Sequence, residues 1–401
     1  MTPSYRTGVK FIQINITNKL YLVLKVFKLT LLTFFLLSWS CKTPSKENNP
    51  MTLVMASQNT SIRKVIDSVD QYEVQIIYTQ IDRSGDSIIL TDHEFQLDDM
   101  KYFYPASTVK LPIAVLALEK LNFTDSLNRD TRYYVEGDSV ENTYAEDISK
   151  IMAVSDNHAN NRLFEFQGQD DINLRLRNKG VFPVRISHRL GVHSDDVTTK
   201  PLIYYINDST TGTSASIINT EPISLSLERI KKGVGYYEND SLHSEPFDFS
   251  YKNYYPVSSQ HGVMKRLIFP ELFKTNERFN LSEDQRELLL TAMYTLPKDI
   301  GYDPIEYYDS YCKFFIYGDS KEIIPEHIKI YNKVGFAYGT LTDCAYIVDE
   351  KNHIEFMLTA TILVNKDGIF NDDNYEYEEI GIPFLAALGR EFYKYELNRK
   401  Q

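Results

Sequence analysis

Three cysteines in 401 residues are too few for a disulfide framework. No Cys/His group has the spacing of a zinc site, and neither a Walker loop nor a G-x-G-x-x-G stretch occurs. Bound metal and bound nucleotide therefore have no support, and no cofactor is expected. Positive charge is also scarce. The 43 Lys and Arg against 55 Asp and Glu leave a net charge of −12, which argues against a grip on the phosphate backbone of nucleic acid. The apolar run Leu29–Leu37 falls short of the roughly 20 residues that a spanning helix needs. With 17 Gly and 15 Pro the chain is neither collagen-like nor of low complexity, and 43% hydrophobic with 24% charged residues is a globular balance. The length suits one two-lobed enzyme.

What is present begins with an address. The first 40 residues hold Arg6, Lys10, Lys19, Lys25 and Lys28 and no acid, and the apolar run behind Lys28 leads into Ser38-Trp39-Ser40-Cys41. That order is the grammar of a secretory signal. The small residue before Cys41 resembles the lipobox of bacterial lipoproteins, although Ser38 stands where such boxes carry an aliphatic residue. Residues 1–41 are therefore expected to be a leader, with a lipid on Cys41 anchoring an exported protein in the bacterial envelope or periplasm. An ordinary cleaved signal or an uncleaved anchor is the alternative. Residues 42–58 are expected to be a tether, polar from Lys42 to Asn49. Cys312 and Cys344 read as single buried thiols rather than a pair.

The rest reads as one domain over 59–401. Helical spacing over Thr60–Gln71 is followed by a hairpin, Tyr72–Ile81 and Ser87–Gln96, about the turn Arg83-Ser84-Gly85-Asp86. Ser107–Leu121 is apolar nearly all round and predicts a buried helix. Further helices are predicted from Tyr144 to Ser155, over His261–Phe269 and over Ser282–Tyr294, the last with a capping region at Leu281–Asp284. Three strands (Glu326–Asn332, Asp343–Val348, His353–Val364) and a closing helix, Gly381–Leu397, end the chain. Ends that both supply strands most simply share one sheet. The expected fold is α+β, an α/β/α sandwich. It has an antiparallel sheet of about five strands flanked by N- and C-terminal helices, formed by 59–106 and 320–401. An all-helical lobe, 107–319, is inserted, with a polar, Tyr-rich insertion around 202–255. A monomer is expected.

Three short motifs carry chemistry. In Tyr104-Pro105-Ala106-Ser107-Thr108-Val109-Lys110, Ser107 and Lys110 lie three apart at a helix start, on one face and one turn apart. A desolvated lysine can take the proton from a serine hydroxyl, and helix N-terminal N–H groups can steady a developing oxyanion. Alone, this spacing is also that of a capping serine and an exposed lysine. In Val154-Ser155-Asp156-Asn157, Ser155 can pass a proton and Asn157 can bind a carbonyl; the bland reading is a polar turn between helices. In Asn332-Lys333-Val334-Gly335 a strand ends with a cation, and Gly335 lets substrate backbone approach closely. An ordinary strand-end turn has the same spelling.

Together, S-x-x-K, S-D-N and K-x-G resemble the set of the penicillin-recognising serine hydrolases, most nearly the class A β-lactamases. Leu111, Ala159, Asn161, Leu163 and the run Tyr338–Ala345 extend the resemblance to roughly Thr60–Leu397, outside the insertion. The resemblance implies that Ser107 is acylated, Lys110 helps deprotonate it and Ser155 relays a proton. Asn157 holds the substrate's amide side chain and Lys333 attracts its carboxylate. The backbone N–H groups of Ser107 and Phe336 form the oxyanion hole beside Gly335, and no metal is required.

Two departures follow. Class A enzymes hydrolyse the acyl-enzyme with water activated by an omega-loop glutamate. Its place falls near Gly191 when Lys179–Leu190 is laid on that loop's approach. Glu165 comes too soon after Asn157, leaving Asp195 or Asp196 as stand-ins. Val334 replaces the family's Thr or Ser, and a lost hydrogen bond to a charged group is worth about 1.5–3 kcal/mol. The first expectation is a serine acyl hydrolase that opens β-lactam rings. The second is a D-Ala-D-Ala carboxypeptidase or transpeptidase acting on cell-wall peptides, and the third a catalytically retired fold serving as a binding lipoprotein.

Overall fold

In the computed structural model, which describes residues 49–191 and 196–400, the two ends of the chain meet in one sheet. Strands β1 (Gln75–Ser84), β2 (Ser87–Phe95), β3 (Ile328–Ala337), β4 (Thr340–Asp349) and β5 (Ile354–Leu363) are antiparallel in the order β3-β4-β5-β1-β2. The junction of the two ends is the β1–β5 pair, with Ile77 opposite Thr359. Successive side chains point to opposite faces. On β4, Ala345 and Ile347 enter the core on one side, and Cys344 enters the core on the other. The first core is closed by helices α1 (Pro50–Met55), α2 (Thr60–Ile66) and the C-terminal helix, Ile382–Lys400, through Val54, Ile62 and Phe392. The expected sheet and its flanking helices are thus present.

The helical lobe covers the other face. Helix α3 (Lys110–Leu121) runs through its middle with every residue but Lys120 buried, as an apolar circumference requires. Around it lie α4 (Tyr144–Val154), α5 (Asn157–Gln167), α6 (Gln169–Asn178), α7 (Val257–Ile268) and α8 (Glu283–Tyr294). The starts are capped from the sequence. Thr143 and Glu146 close a capping box on α4, Asp156 accepts from Ala159 N–H on α5, and Ser282 with Gln285 closes α8. The C-terminal helix, Ile382–Lys400, is α9.

Three expectations need correction. The tether does not extend to 58: Met51, Val54 and Met55 make α1 apolar enough to join the core, so a helix begins at Pro50. The helix expected over 60–71 stops at Ile66 and resumes as a single turn, Val69–Tyr72. The inserted lobe is not all helical. Residues 202–207 and 210–213 form a ribbon that pairs with 132–135, and 235–238 pairs in parallel with 369–370. Residues 1–41, with Cys41, lie outside the described residues, as does Asp195. Cys312 and Cys344 are free and buried.

Candidate active site

Ser107 sits in a tight 3-10 turn, Ala106–Val109, that feeds α3. Ala106 before it has φ +46°, a left-handed conformation that costs an L-residue about 1–2 kcal/mol and holds the serine at a bend. The edge strand β3 packs directly on that bend. A Cβ on Gly335 would lie 2.7 Å from Pro105 O and 2.9 Å from Ser107 N, so only glycine allows the approach.

The sequence-distant lysines converge on the loop serine, Lys110 from the turn after Ser107 and Lys333 from the strand whose Gly335 lies against Ser107 N. Ser155 ends α4 in the left-handed conformation, φ +58°, which turns its hydroxyl back toward α3. Lys110 is fully buried. Its Nζ donates to Ser155 O, to Ser155 Oγ at 3.2 Å and to Asn157 Oδ1 at 2.7 Å. Lys333 Nζ reaches the same hydroxyl from β3 at 2.9 Å and also donates to Val334 O at 2.9 Å. One hydroxyl thus lies between two ammonium groups. None of the acceptors these lysines use is a carboxylate. Burial first, and then the neighbouring Lys333 charge, holds Lys110 well below the ordinary lysine range. Burial pushes Lys333 down to about 8. With its three donor positions on Ser155 and Asn157, Lys110 has a lone pair for Ser107 only after it has lost a proton.

A second buried network supports β3 from behind. Lys313 Nζ donates to Asn332 Oδ1 at 2.7 Å and to Met293 O at 2.7 Å. Asn332 Nδ2 donates to Asp343 Oδ1 at 2.9 Å, and Asp343 also accepts from the N–H groups of Phe314 and Phe315. Burial raises Asp343 to about 6. Asn332 belonged to a motif, whereas Lys313 and Asp343 carried no sequence signal of this role.

Ser107 opens on a cavity of about 370 Å³ that Asn157, Gly191 and Phe336 also line. Gly191 stands beside the Asn157 amide, 3.3 Å from Nδ2 to a Cβ placed on it. The neighbouring carboxylates point elsewhere. Glu165 is bound twice by Arg189, at 2.5 and 2.8 Å, and accepts from Lys200 N–H at 2.8 Å. Asp196 accepts from Thr198 N–H, and it lines a separate cavity of about 330 Å³ together with Glu165 and Arg189.

Residues 58–220 match the family model described as the beta-lactamase enzyme family. The likeness to β-lactamase-like serine hydrolases that the motifs carry is thereby shown. The match takes in Ser107, Lys110, Ser155 and Asn157 and stops before β3. Similar solved structures include the class A beta-lactamase of Mycobacterium abscessus, at 14% identity and TM-score 0.47, covering 82% of this chain and 96% of that one. The chromosome-encoded beta-lactamase of Vibrio parahaemolyticus has 12% identity and TM-score 0.48 over 83% of this chain and 97% of its own. A beta-lactamase from Burkholderia ambifaria has 12% identity and TM-score 0.45 over 82% and 95%. No curated protein gives a significant match.

Sequence reasoning missed the outer wall of the cavity. Tyr104 lies on the nucleophile's own approach, but Tyr338, Asn371, Asp373, Tyr375 and Tyr377 reach the cavity by tertiary folding alone. Tyr338 opens a run that resembles the family's next strand, but no motif marks the other four.

Proposed function

We propose that the chain is a serine acyl hydrolase that opens β-lactam rings through an ester on Ser107. The observation that carries this reading is the Ser155 hydroxyl held between Lys110, one turn after Ser107, and Lys333, two residues before the Gly335 that packs on Ser107 N. Lys110, uncharged, takes the Ser107 proton. Ser107 Oγ bonds to the lactam carbonyl carbon, and the oxyanion is met by the backbone N–H groups of Ser107 and Phe336. The tetrahedral carbon then collapses, its bond to nitrogen breaks, and Ser155 passes the proton from Lys110 to the leaving nitrogen. Lys333 offers its charge to the substrate's carboxylate. Water releases the acyl group.

The release step favours a second reading. Glu165 is locked to Arg189, and Gly191 lacks a side chain at the cavity, so the place of the family's water-activating glutamate is not filled among the described residues, and Asp373 is the one carboxylate that lines the cavity. Slow release is what a carboxypeptidase or transpeptidase for D-Ala-D-Ala peptides shows toward β-lactams. A chromogenic cephalosporin separates the two: steady turnover supports hydrolysis, whereas one equivalent released in a burst that then stalls supports the second reading. We further propose export and lipidation at Cys41, tested by labelled-palmitate incorporation into the protein and into its Cys41→Ala variant.

A further inference from the structure

The wall of the Ser107 cavity carries a single charged group. Asp373 is the only carboxylate among the described lining residues and no described lysine or arginine lines it, Lys110 and Lys333 being buried and outside the lining. Asp373 is exposed, and among the described residues no ion pair holds its carboxylate. Its loop is nevertheless a built structure. Asn371 N–H donates to Tyr375 Oη at 2.8 Å, and Gly339 N–H donates to Tyr377 Oη at 2.8 Å. Just before the loop, Ile369 and Phe370 pair with Gly235 and Tyr236, and Phe370 is buried against Phe249. These segments lie outside the matched family region.

Rings stand beside the acid. Tyr375 and Tyr377 have centroids 5.3 Å apart, and Phe336, next to Gly335, is 5.6 Å from Tyr377. An open carboxylate beside aromatic faces attracts an ammonium by charge and by the ring quadrupole, and repels a second carboxylate. The amide-binding Asn157 and the proposed oxyanion donors fix the reacting carbonyl in the same cavity, and the Phe336 ring stands against Tyr377, so a group attached to that carbonyl lies within reach of 371–377.

We propose that the 371–377 loop selects acyl donors bearing a positively charged amine on the acyl side, with Asp373 as counter-ion and Tyr375 and Tyr377 as the wall. The natural donor is then an amine-bearing acylated amino acid or peptide, anionic at the end that meets Lys333 and cationic at the end that meets Asp373. This rests on acylation at Ser107.

The test uses two penicillins that differ only in an amine α to the side-chain carbonyl. Their dissociation constants are read by ligand-observed NMR on Ser107→Ala and on Ser107→Ala/Asp373→Asn, in low and high salt. An exposed ion pair with a cation–π contact supports roughly a threefold to tenfold preference for the amine. That preference falls to about one in the double variant and shrinks with salt. Equal affinities in Ser107→Ala, no measurable binding of either compound, or an unchanged ratio without Asp373 overturns the proposal. Acylation of the wild type by each compound, followed in parallel by mass spectrometry, judges the serine chemistry separately: no adduct from either would sink that reading while the affinity ratio still decides the role of Asp373.

Discussion

Two pairs of buried cations are treated in opposite ways. Arg162 and Arg189 meet carboxylates, Asp147 at 2.6 Å and Glu165 at 2.5 Å. Lys110 and Lys333 meet a hydroxyl, an amide oxygen and backbone carbonyls. A paired guanidinium stays charged and fixes structure. A buried ammonium with neutral acceptors is pressed to lose its proton, which is what a base at neutral pH requires. In these two pairs the arginines are placed to keep their charge and the lysines to give up a proton.

The contrast breaks most sharply at Lys110. Lys110→Met is expected to slow acylation by about a thousandfold, within the range for loss of a general base. It should leave thermal stability equal or higher, because a buried charge without a counter-ion is removed. A rate within tenfold of wild type, from the time course of adduct formation, would assign the base elsewhere.

Across the boundary, Glu165→Gln leaves Arg189 buried without its counter-ion and is expected to cost about 3–5 kcal/mol of unfolding free energy in denaturant titrations. The acylation rate of the folded protein should stay near that of wild type. A variant of unchanged stability that stops releasing product would instead make Glu165 a deacylation base.

Lys333 sharpens the comparison through pH. Its folded value of about 8 lies below its ordinary 10.5, so between these values the unfolded chain binds the extra proton. The penalty for burying Lys333 is complete below pH 8 and is relieved as pH rises to 10.5. A shift of this size is worth about 3 kcal/mol. Wild type should therefore gain up to about that much stability relative to Lys333→Met across this window, and parallel stability profiles would contradict the unpaired cation.

The smallest effect is expected at Gly335. A methyl there meets Pro105 O and Ser107 N, and such overpacking costs about 1–3 kcal/mol. Gly335→Ala should lower the melting temperature and also slow acylation by moving β3 away from Ser107. Unchanged acylation would mean that the strand does not help position the nucleophile.

Much of this contrast was legible in the sequence, because local rules wrote it. The Ser107–Lys110 spacing fixes one helical turn, Ser155 follows a helix end, and Lys333 and Gly335 belong to a strand that was expected to end at Asn332 and in fact runs on to Ala337. The strand expected over His353–Val364 is present and is the middle one of the sheet. The rest depended on distant partners. Nothing beside Glu165 announced that Arg189, 24 positions later, would occupy it. Asp373 and Tyr375 reach the cavity only because residues 369–370 pair with 235–236. Met51 and Val54 sat next to a polar run, and their burial became visible only once α9 was in place against them.

The central claim is that Ser107, and no other nucleophile, takes up an acyl group. Intact-protein and peptide mass spectrometry after incubation with penicillin measures this directly. Wild type should gain the whole drug's mass on the peptide that contains Ser107, and Ser107→Ala should not. A folded wild-type protein that gains no mass under any condition, or gains it equally in Ser107→Ala, would contradict the account.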